Sequence, residues 1–518
     1  MSASSRSHCP QSTHLDTPQA VGLRGEDVPL EPTLSWCGVD AASLAIGLFY
    51  LGVVVFLFTR HMPWRDEAQG WMRMQSLSSL RDYFIIPGGE GHPPLWYWVL
   101  RVMGAFVELD HAVWLAPVLA AVACALAAWL LRGRPLFLSA VLFSAPFMLW
   151  AQEFRPFVLG AVFVLAALVF LRRKTYPACA ACLGLACFSH LFFFFALPLF
   201  IGEEFLRCRS VTVLKWAALP CLAAAGLILV SGSGNSLSVW EALHGPVALL
   251  ACGELLQGFG FTLSPAEFAA ASPWLLTTAP LVLAAALWFS FGRNLYAVLT
   301  GGCLFSMALF LGVLQLKTID HAEFLCFLLI VAGLIRLPEI RSEALLVLLY
   351  LSDVQGLTLA QKLATQPLSG AEAAYDYVRS ARPAGLKLLA VDDALLTPAA
   401  YKHHFKYYSL PMERETDGLI DWSNHRVALD QFRRGYAAAG CPKAFLLAID
   451  HSHSEKSPVG KNGSGESAPV IRLCGHMHWD CRLAHSESKA IFDQIDLYLV
   501  HAGASAFARR DRGVMSSP

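Results

Sequence analysis

The chain is dominated by a succession of uninterrupted apolar runs, each near the length a helix needs to cross a bilayer, about 20 residues and about 17 at the short end. The first runs from Ala41 to Thr59. Others follow at about 112–131, 135–151, 156–171, 177–189, 191–206, 215–231, 273–291, 295–315, 322–336 and 343–356, so about eleven spans are expected. Of the 518 residues, 56% are hydrophobic and only 15% charged, more apolar surface than a soluble core can hide. The expected fold is an all-α polytopic membrane bundle whose solvent is the lipid bilayer, because a spanning helix satisfies its own backbone polar groups.

The 39 basic and 39 acidic residues cancel, so no global field points to nucleic acid or another polyanionic partner. Function has to come from local sites. Residues 1–40 are polar, carry Pro10, Pro18, Pro29 and Pro32, and lack the short apolar stretch of a cleaved signal peptide. They read as a disordered cytoplasmic N-terminus, with the first span as a retained signal anchor.

The stretch 95–109 is too short to cross, holds Arg101, and opens with Trp96, Tyr97 and Trp98, the composition of a helix lying in the interface. Omitting it from the count puts Arg132/Arg134, Arg172/Arg173/Lys174, Arg207/Arg209/Lys215, Arg293 and Arg336/Arg341 on the cytoplasmic side, as the positive-inside rule requires. The same parity makes 60–111, 151–156, 232–272 and 316–321 exoplasmic, together with everything after about 357. Residues 41–356 thus form a transmembrane module with an exoplasmic loop at 60–111. In the tail, the apolar stretches 386–391, 444–449 and 496–500 alternate with polar, helix-like segments, so 357–518 reads as a small exoplasmic α/β domain. Its segment 451–467, rich in Ser, Gly and His, reads as a mobile loop.

Three polar clusters fall on the exoplasmic face. The first is Asp66/Glu67, whose adjacent carboxylates can hold a divalent cation or accept a proton from a hydroxyl. Asp66 also suits the N-cap of a helix over 67–74, with Gln69 completing a capping box. The second is His92, followed by Pro93 and Pro94, which suit the start of the interfacial helix. The third is Gln152-Glu153-Phe154-Arg155-Pro156, a charged pair at membrane depth, where a charge faces a cavity or partner or else snorkels to the interface. Their convergence on one interface fits a site that handles an anionic lipid head group.

Seven of the 14 cysteines lie inside apolar runs and behave as small hydrophobes, Cys179 and Cys182 of a CxxC among them. Cys474-Gly-His476-Met-His478-Trp-Asp-Cys481 has ligand types that suit zinc, but its alternation also fits an exposed strand, and its cysteines can pair with each other or with Cys441.

Asp66-Glu67-Ala68 after the first span, Glu90 to Leu95 (EGHPPL) with the aromatics that follow, Gln152 to Phe157 (QEFRPF), and Ser189-His190 together resemble the membrane glycosyltransferases of the C superfamily (GT-C). The likeness is to the bacterial family 39 relatives of the protein O-mannosyltransferases and aminoarabinose transferase, and it covers about residues 41–200. It implies a polyprenyl-phosphate-linked sugar as donor and an exoplasmic glycan, lipid or protein as acceptor. Asp66 would match the general base, with Glu67 and Glu153 beside it as catalytic carboxylates. His92, Arg155 and His190 would line the substrate site, Arg155 meeting the departing phosphate. The resemblance leaves a divalent metal ion open. Where relatives carry an arginine followed by tyrosine, this chain has Lys317 to Glu323, so Lys317 and His321 stand as candidates for the donor phosphate.

Two other functions compete. A transporter or flippase of a lipid-linked sugar also needs polar residues in a bundle, but paired, Gly-interrupted spans in two halves are lacking. A non-catalytic binding protein would not need carboxylates at the lipid interface. The topology is checked by fusing alkaline phosphatase after Leu359: activity is expected there, and activity of a cytoplasmic reporter alone would overturn the assigned parity.

Overall fold

The computed structural model describes residues 40–86, 93–231, 295–314, 319–336, 342–381, 386–391, 393–419, 429–450, 474, 477, 479–487, 490 and 493–502. The first run forms α1 (Ala41–Phe58), started by Asp40, whose carboxylate accepts the Ser43 N–H at 2.7 Å. Then come α2 (Arg65–Ser76), α3 (Leu95–Gly104), the short α4 (Leu109–Ala112) and α5 (Leu115–Leu130). The bundle continues through α6 (Pro135–Leu142), α7 (Ala145–Trp150), α8 (Pro156–Arg172), α9 (Tyr176–Ser189), a 3-10 turn at Leu191–Ala196, α10 (Leu197–Cys208) and α11 (Thr212–Ser231). After the segment left undescribed come α12 (Leu295–Leu314), α13 (Ile319–Arg336) and α14 (Ser342–Thr365).

Several expected spans differ in detail. The run 135–151 is two helices, because Pro146 cannot donate a backbone hydrogen bond one turn back. Ser144 becomes extended, and the Ala145 N–H is satisfied instead by Ser352 Oγ of α14 at 3.1 Å. The run 191–206 opens as a 3-10 turn before Pro198 begins α10. The helix expected over 95–109 stops at Gly104, and α14 runs past 356 to Thr365. The run 273–291 lies outside the described residues.

Two helical stretches, Ala41–Phe58 and Leu109–Leu130, are long and apolar enough to cross a membrane; Pro156–Arg172, Tyr176–Ser189, Thr212–Leu227 and Tyr296–Ala308 are apolar but shorter. Large apolar side chains face outward on α1 (Leu44, Leu48, Phe49), α11 (Trp216, Leu219, Leu222) and α14 (Val347, Val354, Leu357). Apolar faces of that extent suit lipid rather than water. The opposite faces pack into one core through α5, α8, α9, α13 and α14.

A second, smaller core surrounds α2. Ala68, Trp71 and Met74 on one face meet Trp96, Tyr97 and Leu100 of α3, with Phe58, Phe154 and Leu159 closing the cluster. Tyr401, from the C-terminal domain, packs on its edge.

The C-terminal domain is the small α/β unit the apolar stretches indicate. Its helices are α15 (Ala371–Ala381), α16 (Thr397–His403) and α17 (Leu429–Ala438). Its strands are β1 (Lys387–Ala390), β2 (Tyr407–Ser409), β3 (Arg414–Thr416), β4 (Ala444–Asp450), β5 (Trp479–Glu487) and β6 (Ile495–Ala502). They form one mixed sheet in the order β3-β2-β1-β4-β6-β5, with β1 parallel to β2 and β4 and the other pairings antiparallel. Successive residues alternate between faces: Leu389, Phe445 and Leu447 pack against α17, while Leu388, Leu446 and Ala448 pack against α15 and α16. Burial on both faces explains the continuous apolar runs of β1 and β4. The segment 451–467 and most of 474–478 lie outside the described residues. Met477 is helical and buried, not part of the exposed strand that the alternation also allowed, and β5 begins at Trp479.

The bundle is close-packed where α14 crosses α7. A Cβ added at Gly356 would lie 2.1 Å from the Phe143 carbonyl oxygen, whereas one at Gly52 on α1 would meet nothing within 4 Å. Gly356→Ala should cost about 1–3 kcal/mol through overpacking and lower the melting temperature in detergent. Gly52→Ala should leave it unchanged or slightly raised; equal effects from both would refute this crossing.

Candidate functional site

The site is built on the first turn of α2 and on the link between α7 and α8. The helix starts two residues earlier than expected, with Trp64 as its N-cap, so Asp66 lies inside the first turn and does not cap it. The capping role falls to Glu67, whose Oε2 accepts the Trp64 N–H at 3.2 Å. The same oxygen is 2.9 Å from His61 Nε2, and Oε1 accepts the Phe154 N–H at 2.5 Å. Glu67 is buried and its acceptors are directed into the fold. It joins the end of α1, the start of α2 and the 151–155 link, so the two sequence clusters meet through one carboxylate.

Asp66 is different. Its side chain is 25% exposed, with Arg65 Nε 3.1 Å from Oδ1 and Arg155 3.3 Å from Oδ2. Arg155 is buried, its guanidinium carbon 5.4 Å from the centroid of the Trp64 ring and 4.6 Å from that of Phe157. The aromatic faces favour the cation and restrict its movement. Glu153 is fully buried in the same link, and Gln152 donates to the Val54 carbonyl of α1 at 3.1 Å.

His190 lies behind this cluster at the end of α9. Its ring is 4.9 Å from Phe157 edge-on and stacks on Phe324 of α13 at 5.4 Å, and its Nδ1 accepts the Phe192 N–H at 3.3 Å. Phe157 thus touches both His190 and Arg155. Glu323 of α13 is fully buried beside Phe324. His321 falls in the first turn of α13, while His92 and Lys317 lie outside the described residues.

Nothing in the sequence points to the next partner. Asp493 of the C-terminal domain accepts the Arg65 backbone N–H at 2.9 Å through Oδ2, with Oδ1 3.8 Å from Arg65 Nε. Further along α2, the Gln69 side chain donates to Thr397 Oγ1 at 2.7 Å and to the Gly418 carbonyl. Gln69, placed as a capping-box residue by its spacing, instead ties α2 to the C-terminal domain. Arg65, His61 and Trp64 were missed as well, although their nearness to Asp66 in the chain could have marked them.

Among the described residues no group of three or more His, Cys, Asp or Glu is arranged to hold a metal ion. Cys474 and Cys481 are joined in a disulfide, which answers the zinc alternative for that pair. Cys179, Cys182 and Cys441 are free thiols.

No family model matches the chain, and no curated protein matches its sequence. Among solved structures, the chain is similar to ArnT from Cupriavidus metallidurans bound to undecaprenyl phosphate, at 14% identity over 91% of this chain and 99% of that one. The TM-score is 0.34, too low to align residues between the two.

Glu67→Ala would leave the Phe154 and Trp64 N–H groups and His61 without their acceptor in a buried site. Leaving a buried donor without its acceptor typically costs about 1–3 kcal/mol. Glu67→Ala should therefore lower the melting temperature clearly, while Asp66→Ala, at a partly exposed position, should lower it much less; the reverse order would contradict the burial of Glu67.

Proposed function

We propose that the chain is a membrane glycosyltransferase that moves a sugar from a polyprenyl-phosphate donor to an exoplasmic acceptor hydroxyl with inversion. The observation that carries it is the pairing of Asp66, an acid reachable from outside, with Arg155, a cation held in a buried aromatic frame. The acceptor oxygen attacks the anomeric carbon and gives its proton to the Asp66 carboxylate. The bond from that carbon to the phosphate oxygen breaks, and the polyprenyl phosphate leaves with the electron pair. Arg155 stabilises the charge gathering on the departing phosphate.

The ion pair has a consequence for turnover. A carboxylate held by a guanidinium is a weaker base, because the cation favours its charged form. A donor phosphate drawing on Arg155 relieves that hold, so Asp66 becomes the stronger base once the donor is bound. Glu67, buried and fully engaged, sets the position of Asp66 rather than receiving a proton.

The surroundings support this reading. Apolar side chains at Leu80, Phe84, Val102 and Phe106 are exposed around α3, as suits a segment seated in a lipid interface beside a lipid-linked donor. The disulfide of the C-terminal domain suits an oxidising compartment, which supports the exoplasmic side for that domain. The sequence motifs that resemble the C-superfamily enzymes coincide with the residues that make the pair.

General base catalysis is typically worth about 10²- to 10⁴-fold. Asp66→Asn should thus reduce transfer from a purified polyprenyl-phosphate sugar in nanodiscs by at least two orders of magnitude, with little change in expression. Arg155→Ala should both raise the donor KM and lower kcat, since its charge meets the phosphate before and during the reaction. Near wild-type transfer by Asp66→Asn would remove Asp66 as the base. Mass spectrometry of cell-envelope glycans, with and without the chain, would identify the sugar and acceptor.

A further inference from the structure

Asp493 is a fully buried carboxyl of the C-terminal domain. It is carried on the turn before β6, in an isolated bridge with Ser369, and its backbone is fixed on both sides: its carbonyl accepts the Gly370 N–H at 2.8 Å and its N–H donates to the Leu368 carbonyl at 3.4 Å. The side chain is thus delivered to one place by the C-terminal domain. There it meets the first turn of α2, with Oδ2 on the Arg65 N–H and Oδ1 facing the Arg65 guanidinium.

We propose that Asp493 is a positioning residue of this site, in which a carboxylate from the C-terminal domain holds the start of α2 and the Arg65 side chain and so sets the direction and basicity of Asp66. The proposal rests on the reading of Asp66 as general base. A carboxylate at a helix start satisfies a backbone donor that the helix itself cannot pair, and it meets the positive end of the helix dipole. Arg65 lies between two carboxylates, with Nε 3.1 Å from Asp66 and 3.8 Å from Asp493. When Asp493 is ionised it shares Arg65 with Asp66 and adds its own negative field, and both effects favour a proton on Asp66. When it is protonated, it no longer competes for Arg65 or adds its negative field, and the base is weaker.

The groups that face Asp493 are Arg65 and Asp66 from α2 and the Ser369 hydroxyl from the segment before α15. Burial pushes the Asp493 carboxyl up to about 7, against the pull of Arg65 and the Ser369 hydrogen bond, with Asp66 adding to the rise. Its ionisation therefore falls in the range where an exoplasmic enzyme works. Transfer by the wild type should rise with pH through about 7, as Asp493 loses its proton.

The test uses the full chain in nanodiscs with undecaprenyl phosphate carrying mannose, glucose or aminoarabinose, taking whichever donor the wild type turns over. Asp493→Asn keeps size and an acceptor for the Arg65 N–H but removes the charge. It should lower kcat by roughly tenfold, as a small displacement of a reacting group can, leave the donor KM within about twofold, and flatten the rise near pH 7. Asp493→Glu should restore part of both. Hydrogen exchange at the first turn of α2 should be faster in Asp493→Ala than in wild type, a readout independent of turnover.

The two ideas fail in different ways. Full transfer by Asp66→Asn removes the base, and the proposal with it. A dead Asp66→Asn beside an Asp493→Asn of wild-type kcat and pH profile overturns the positioning role alone. An Asp493→Asn that only melts earlier, with turnover per folded molecule intact, makes Asp493 a structural anchor and also overturns it. Failure of the wild type on all three donors counts against both.

Discussion

The site depends on how the first turn of α2 is held. A helix start leaves backbone N–H groups without partners inside the helix, and two buried carboxylates answer this need in a small volume. Glu67 reaches back to Trp64 from within the turn, Asp493 takes the Arg65 N–H from the C-terminal domain, and Glu67 also takes the Phe154 N–H of the 151–155 link. One short helix is thus clamped to the bundle and to the C-terminal domain together. Asp66, next to Glu67 in sequence and facing Arg65 alongside Asp493, is left with its face partly open.

That arrangement divides the labour among acids that look equivalent as sequence. Glu67 and Asp493 are buried and serve the backbone, whereas Asp66 is reachable and meets cations on both oxygens. Arg155 is kept near Asp66 by the ring faces of Trp64 and Phe157. The Gln69–Thr397–Gly418 contact holds the other end of the same helix surface to the C-terminal domain. The domain therefore acts as the second wall of the site.

How much of this was legible beforehand depends on the range of the interaction involved. The long apolar helices, their order, and strands β1, β4 and β6 follow from runs and alternation that each segment carries alone. Helix breaks at Phe143–Ser144 and at the 3-10 turn were hidden, because an apolar run does not reveal where a proline forces the backbone to seek a partner on another helix. The short strands β2 and β3 have three residues each, too few for an alternation to register.

For the site, composition and charge bias brought Asp66, Glu67, Glu153 and Arg155 to one face, and their types announced acid–base and anion chemistry. Which carboxylate is open and which is structural was decided only by packing, since burial is set by neighbours far along the chain. Asp493 is more than 400 residues from Arg65, and nothing near it in sequence distinguishes it from any other loop aspartate. The disulfide was one of several pairings that spacing allowed, and only the folded domain brought Cys474 to Cys481. Local periodicity is written residue by residue and survives in the sequence; a hydrogen bond between two domains exists only after both have folded.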